Sequence, residues 1–466
     1  MRLHRGAVVA LALALVFTAA GCTWSDWSMY AFGPAHTSFN PTESTISVDN
    51  VATLRPSWSG VLGPPDGGSE TPVTANGIVY ATSDVDPWQL EAFDSTGADC
   101  PAATKCKPLW TATTRAGPVS LQVANGLVYL TTGDGGLAAF DAAGVRGCKG
   151  QPKVCTALWS ASGLTVGDST FLKPAITHHL LYALVGNVVS AFDASGGRGC
   201  AGKPKTCVPL WSVASDGPPA VAGGVLYVPD GSPPWEVRAY DASGATGCKG
   251  TPRFCSPRWT GRSLGFAMSN ATPPTIANGI VWIGIREGDE QSVSGTLLGF
   301  DANGVKGCTA APRICSPIRR APTDAVIYPP AVAYDTVYTL EYFFHSSTLL
   351  TPGGAAAETR IWRLRAYDQR ACTTTTACTP LWTASLGGTP QGISVANGLV
   401  YVTTWGDRKL MIYDAAGRHG CAGTPKICTP VWSTTLSGAP SGPSVANGIV
   451  YVGTVNDNVL HAFELP

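Results

Sequence analysis

From Val73 to the C-terminus the chain writes one hydrophobic pattern over and over. A short apolar run ends in Ala-Asn-Gly, a second apolar run follows (Leu127–Leu130 in one copy), and a Gly/Asp-rich break comes next. An Ala-Phe/Tyr-Asp element, a cysteine-bearing segment and a Trp-led run complete the unit. Asn-Gly between apolar runs predicts a two-residue hairpin, because both central positions require φ > 0. The Ala-Asn-Gly core recurs at Ala75, Ala124, Ala277, Ala396 and Ala446, with degenerate copies at His178–His179, Gly223–Gly224 and Tyr334–Asp335. The Asp of the third run recurs about every 53 residues, at Asp94, Asp141, Asp193, Asp241, Asp301, Asp368 and Asp414, and Glu464 takes the eighth place. Each unit reads as four strands, A to D, with Trp110, Trp159, Trp211, Trp259, Trp382 and Trp432 opening strand D; the fifth unit has Ile318-Arg319 there. Units of this length repeated eight times predict an all-β fold, an eight-bladed β-propeller of four-stranded blades. The eighth unit ends at Pro466 without a strand D, and the run around Trp58 is the expected donor, so that the N-terminal strand closes the last blade.

Composition agrees with this reading. The 466 residues include 54 Gly and 36 Pro, and only 13% are charged, which argues against a coiled coil or helical bundle. Lys+Arg and Asp+Glu number 31 each, and no whole-chain basic excess points to nucleic acid. Residues 1–22 have two arginines, an eleven-residue apolar run from Ala7 to Phe17, and Ala-Ala-Gly before Cys22. The run is too short to span a bilayer, and the pattern reads as a secretory signal. The small residues before Cys22 resemble a lipobox, so Cys22 is the expected lipidated first residue of the mature chain. The boundaries follow: signal peptide 1–22, tether and lead-in 23–47, propeller 48–466.

Cys22 also accounts for the odd count of 15 cysteines. The other fourteen form seven close pairs: Cys100 with Cys106, Cys148 with Cys155, Cys200 with Cys207, Cys248 with Cys255, Cys308 with Cys315, Cys372 with Cys378, and Cys421 with Cys428. Zinc sites favour Cys-x-x-Cys knuckles, and an exported chain sits where paired thiols oxidise. Seven local disulfides, each bracketing the C–D connection, are expected.

The repeat resembles the PQQ-type propeller repeat, with its apolar-Tyr-Ala-apolar-Asp-Ala-x-Gly-x-x-x-Trp signature, over Val48 to Pro466. The lead-in from Trp27 to Trp58 is similar to the segment that opens quinoprotein propellers. A close comparison within the family is its quinone-free branch, the lipoprotein of the outer-membrane β-barrel assembly machine. The resemblance implies either a binding platform or a dehydrogenase that uses pyrroloquinoline quinone (PQQ) with Ca²⁺. Dehydrogenases of that architecture carry a vicinal disulfide, and no two cysteines here are adjacent. The cysteine pair inserted between Asp and Trp is the departure from the family pattern.

Strand alternation puts the A–B and C–D connections at one end of the propeller, and B–C and D–A at the other. The C–D segments hold fifteen of the 31 basic residues, among them Lys149, Lys153, Lys203, Lys205, Lys249 and Arg253, and the B–C segments lean acidic. The basic end is expected to face an anionic membrane or wall polymer. The B–C segments of units five and six are the longest; there Glu287, Asp289, Phe343, Phe344, Leu349 and Leu350 are candidate partner-binding residues on surface loops. No catalytic or metal-binding residue is assigned. Gly133–Gly136 links two strands and is no phosphate cradle, and Asp84-Val85-Asp86 lacks the ligand count of a calcium loop. The expectation is a monomeric, non-catalytic lipoprotein on the outer side of the cell membrane, binding an envelope protein or polymer without a cofactor. The alternative is a PQQ-dependent dehydrogenase; a lyase or glycan-binding propeller is a third class.

Overall fold

The computed structural model describes residues 25–466 apart from 64–69, 84–85, 99, 101–104, 162–172, 178, 186, 231–235, 263–267, 288–293, 312, 327, 351–355 and 375–377. Cys22 and Asp289 therefore lie outside the described residues, as does the signal segment. The chain is an all-β β-propeller whose described strands form eight separate sheets. Numbered by their strand A, these begin at Val73, Pro118, Ala175, Ala220, Thr275, Ala331, Pro390 and Ser444. The A strands of the first and second sheets adjoin, as do those of the third to the eighth in turn. In the second sheet the order from the axis outward is Pro118–Ala124, Leu127–Thr132, Leu137–Asp141 and Trp159–Ala161. The eighth sheet draws its outer strand from the other terminus: Arg55–Val61 pairs antiparallel with Val459–Glu464.

The local chemistry explains the regularity. Asn76, Asn125, Asn278, Asn397 and Asn447 all have φ between 42° and 55°, each followed by a glycine of positive φ. These are the primed hairpin turns that join strands A and B. The recurrent Asp caps its own turn: Asp141 Oδ2 accepts from the Val145 and Arg146 amides, Asp414 Oδ2 from those of Arg418 and His419, and Asp193 and Asp241 each from the amide five residues on. At Asp193 burial pushes the carboxyl up, but bonds from Ser195 and Arg198 outweigh it and hold the pKa at about 2.

Neighbouring sheets are joined by one repeated contact. Tyr80 Oη and Trp110 Nε1 of the first sheet both donate to the Ala142 carbonyl of the second, at 3.0 and 3.2 Å. Tyr129 and Trp159 meet Ala194 in this way, Tyr227 and Trp259 meet Ala302, and Tyr338 and Trp382 meet Ala415. Across the chain termini Tyr451 and Trp58 donate to Ser95, so the eighth sheet grips the first by the same device. The indole lies on a glycine: a Cβ on Gly144 would stand 2.2 Å from Trp110 Cδ1, and Gly144 also has φ +64°. That position demands glycine twice over.

All seven expected disulfides form: Cys100 to Cys106, Cys148 to Cys155, Cys200 to Cys207, Cys248 to Cys255, Cys308 to Cys315, Cys372 to Cys378, and Cys421 to Cys428. Five of the pairs close a small hairpin or bridge in which the two cysteines stand opposite each other. The spacing indicated where the staples sit but not how they pack. The second cysteine of each pair turns inward: Cys106, Cys155, Cys207, Cys315, Cys378 and Cys428 are buried, and Cys255 is half-buried. Of the first cysteines, Cys372 alone is buried. The reason is the position of each hairpin against the preceding sheet. Cys155 joins the apolar cluster around Trp110, Cys207 that around Trp159, Cys315 that around Trp259, and Cys428 that around Trp382. Cys106 packs with Phe93 and Leu62, and Cys378 with Tyr367 and Cys372. These sulfurs are therefore core atoms as well as crosslinks, the environment cysteine most often occupies.

Five of the same segments also add a parallel strand to the outer edge of the preceding sheet: Val154 pairs with Thr111, Thr206 with Ser160, Phe254 with Ser212, Ile314 with Thr260 and Ile427 with Thr383. Outer strands that would otherwise expose free backbone groups are thus covered.

Candidate functional site

Three regions have the chemistry of a site: the axis, the long hairpin of the sixth sheet, and the end bearing the A–B turns.

Along the axis the lead-in segment crosses the inner edges of the A strands. Trp27, Ser28, Pro34, Ala35, Thr37 and Ser38 each give a carbonyl to an amide of a different strand A, from Thr74 round to Val395. Phe39–Asn40 then pairs parallel with Val395–Ala396, and Asn40 Nδ2 donates to the Val445 carbonyl. Inner edges otherwise leave amides unpaired, and the lead-in satisfies one on each of these strands. The bends this requires place Ala31, Phe32, His36 and Ser38 at positive φ. Glu43 is buried and accepts from Ser25 Oγ and from the Thr45 and Gly448 amides. His36 is also buried; desolvation lowers its pKa to about 4, so the imidazole is neutral.

Behind the lead-in, at the D–A end, lies a cavity of about 270 Å³ lined by Trp27, Tyr30, Glu70, Lys173, Tyr328 and Gln391 among others. Lys173 Nζ donates to Glu70 Oε2 at 2.6 Å and to the Val119 carbonyl at 2.7 Å, and stands 5.4 Å from the centre of the Tyr30 ring. The cation and the carboxylate of this cavity neutralise each other. A tricarboxylate quinone held with Ca²⁺ needs several cations and a cluster of oxygen ligands. Among the described residues no three His, Cys, Asp or Glu side chains come together in that way. The described lining residues do not fit that group, and no step is derived through it.

The sixth sheet corrects one expectation. Phe343, Phe344, Leu349 and Leu350 are not on a surface loop: Thr336–Leu350 is one continuous strand, paired with Ala356–Asp368 in a hairpin that runs beyond the sheet. Backbone pairing runs from Thr336 to Ser346 and resumes at Leu350 after a register shift, so this segment rich in turn formers is strand. Phe343 is half-buried, with the Arg363 guanidinium 3.9 Å over its ring. At the base of the hairpin Glu341, with no exposed surface, accepts from Arg365 Nη1 at 2.6 Å and from Tyr367, and Asp324 pairs with Arg363 and Arg365. Glu287 ends the strand Ile280–Glu287 of the fifth sheet.

At the A–B end the basic residues divide in two. Lys205 Nζ and Lys426 Nζ donate to the carbonyls of Gly196 and Gly417, and Arg253 Nη2 donates to Gly244, so in these three hairpins the cation after the proline pins its own turn. Arg146 and Arg198 pair with Asp141 and Asp193. The Lys153 carbonyl accepts from Thr111 in the preceding sheet. Lys149, Lys203 and Lys249 are exposed and form no side-chain bond with a described residue. The charge count along the sequence could not separate turn pins from free cations.

No family model matches this sequence, and none of the curated proteins does. Solved structures do. BamB from Moraxella catarrhalis superposes with a TM-score of 0.55 at 14% identity, over 88% of this chain and 99% of that one. A europium-containing methanol dehydrogenase reaches 0.58 at 14% identity, over 95% and 98%. The quinohemoprotein alcohol dehydrogenase of Comamonas testosteroni reaches 0.58 at 14% identity, over 94% and 80%. The fold is therefore the β-propeller that BamB and these quinoprotein dehydrogenases share. At this identity the likeness establishes architecture and leaves chemistry to the residues themselves.

Proposed function

We propose that this chain is a non-catalytic binding platform of the cell envelope: an eight-bladed ring closed by Arg55–Val61, exported behind residues 1–22, anchored through lipid on Cys22, and monomeric. The observation that carries the non-catalytic reading is the axial cavity, where Lys173 and Glu70 engage each other and the lead-in segment lines one side. Quinoprotein propellers among the fold's relatives keep the dehydrogenase reading as the rival. BamB, as a propeller of the same fold, supports the platform reading by analogy only. The eight sheets and the pairing of the two terminal strands support the ring. The partner in this reading is an envelope protein or polymer, engaged from outside the cytoplasm.

Titration of the chain from Thr23 onward with PQQ and Ca²⁺, followed by tryptophan fluorescence, tests the choice. The platform reading expects no saturable change. Saturable low-micromolar binding overturns it and directs assays to alcohols and aldose sugars.

A further inference from the structure

We propose that the end of the propeller bearing the A–B turns and the disulfide hairpins is a lipid-facing surface, shaped to rest on an anionic bilayer. Eight of the eleven large hydrophobic side chains that stand exposed among the described residues lie in the C–D segments. Val145 and Val305 are 70% and 68% exposed, and Val154, Val208, Phe254 and Ile427 are 48%, 60%, 47% and 53% exposed. Tyr334, in an A–B turn, belongs to the same end, whereas Val61 and Trp405 are the two at the opposite end. The segments reach that end because strand C finishes there: Ala142 N donates to Gly126 O, and the hairpins pair with the first residues of each outer strand D.

The hairpin register places a cation beside a hydrophobe. Lys149 stands opposite Val154, and Lys249 opposite Phe254, while the cysteine pairs occupy the alternate positions. Ammonium groups with no local partner, next to apolar side chains with no core to enter, match an interface of phosphate headgroups above acyl chains. The covalent closure of each hairpin keeps this array formed before contact, which lowers the ordering cost of binding.

A third observation fixes the orientation. The described chain begins at Ser25, whose amide donates to Asn447 Oδ1 in the A–B turn of the eighth sheet, on the same end. It stands three residue steps after Cys22, a reach of at most about 10 Å. A lipid on Cys22 would hold this end at the headgroups. That step alone rests on the lipoprotein reading of the previous section; the amphipathic array does not.

The experiment is co-sedimentation of the unlipidated chain from Thr23 onward, which contains every described strand, with vesicles of phosphatidylcholine alone or mixed with phosphatidylglycerol. Binding is expected to the anionic vesicles and to weaken with salt. Lys149→Glu, Lys203→Glu and Lys249→Glu together should weaken it at least about tenfold. Val154→Ser, Phe254→Ser and Ile427→Ser together should weaken it severalfold with the salt dependence retained. All are exposed positions, and a thermal melt of each variant confirms folding. Amide exchange on vesicles should slow in the C–D hairpins. Absence of anionic binding, indifference to the lysine reversals, or protection at the B–C end instead would each overturn the proposal. Palmitate labelling of the full chain against Cys22→Ser reports the anchor separately, so an unlabelled Cys22 with vesicle binding would end the lipoprotein reading and leave the surface standing.

Discussion

The rim and the axis of this propeller solve the same problem by opposite means. At the rim, one arrangement is copied from sheet to sheet: a Tyr and a Trp converge on one carbonyl, a glycine receives the indole, and a disulfide hairpin covers the edge of the sheet before it. Along the axis a single non-repeating segment satisfies the inner strands one after another, with a different residue at each. Repetition spreads stability over interchangeable contacts with nearest neighbours. The axial segment concentrates it in a few residues that have no duplicate, so single substitutions there should behave differently from single substitutions at the rim.

The largest effect of one side chain is nevertheless expected at the rim, where the side chain itself is largest. Trp110→Ala removes a buried indole packed between two sheets and should cost about 3–5 kcal/mol in denaturant unfolding. If that contact is local, the loss should be nearly the same for Trp159→Ala and Trp259→Ala. Unequal losses would break the equivalence of the units. On the axis Asn40 is fully buried, donates to the Ser25 and Val445 carbonyls and accepts from Thr42 and Glu43. Asn40→Ala should cost about 2–4 kcal/mol, since each orphaned buried group carries its own desolvation penalty. It should also expose the segment around residues 25–47 to protease, which the rim variants should not do. Equal protease sensitivity in both sets would refute the distinction. Opening one staple with Cys148→Ser and Cys155→Ser should cost less than about 2.5 kcal/mol through the lost crosslink, because the hairpin pairing already holds the loop ends together.

Acid separates the two regions by pH. His36 on the axis is held neutral with its pKa lowered to about 4, against an ordinary value near 6.5. Protonation favours the unfolded chain, so this contribution is complete above about pH 6.5 and is lost as pH falls toward about 4. Asp193 at the rim is held near 2, below the ordinary carboxylate value. Its contribution is complete above about pH 4 and is lost as pH falls to about 2. Thermal melts across pH should show an upper shoulder that His36→Asn abolishes and a lower one that Asp193→Asn reduces. Asparagine suits the positive φ of His36. A single transition untouched by either change would count against both assignments.

The same contrast decides what could be read from the residues alone. The Asn-Gly turns and the cysteine pairs are local chemistry repeated at a fixed period, and each is found as expected at Asn125 and Cys148–Cys155, while the recurrent Asp proves equally local in its cap at Asp141. The path of Trp27 to Asn40 has no period, and its partners on the A strands lie 47 to 405 positions away in sequence, as with Trp27 and Asn40. Nothing in its composition indicates that it would edge the A strands. Nor does spacing reveal that a hairpin closed within one unit would pair with the sheet before it, as Val154 does with Thr111, or that Cys155 would enter the core beside Trp110. Both need the relative placement of two sheets. The Phe343 region reads as a loop from sequence alone for a related reason. The pairing that makes it a strand is with Ile361, across a segment rich in turn formers.

The smallest expected effect tests whether the basic rim has two kinds of lysine. Lys205 spans its turn to the Gly196 carbonyl at 2.9 Å, while Lys203, two residues away in the same hairpin, forms no such bond. Both are exposed, and one hydrogen bond in water nets little, so Lys205→Met should lower stability by no more than about 1 kcal/mol. Lys203→Met should leave the melt unchanged. Binding to anionic vesicles should show the reverse, with the Lys203 variant weakened more than the Lys205 variant, because the Lys205 ammonium is committed to its turn carbonyl. If the two variants shift stability and binding alike, the division between turn pins and free cations fails. The rim charge would then act as one undivided field rather than as a set of placed groups.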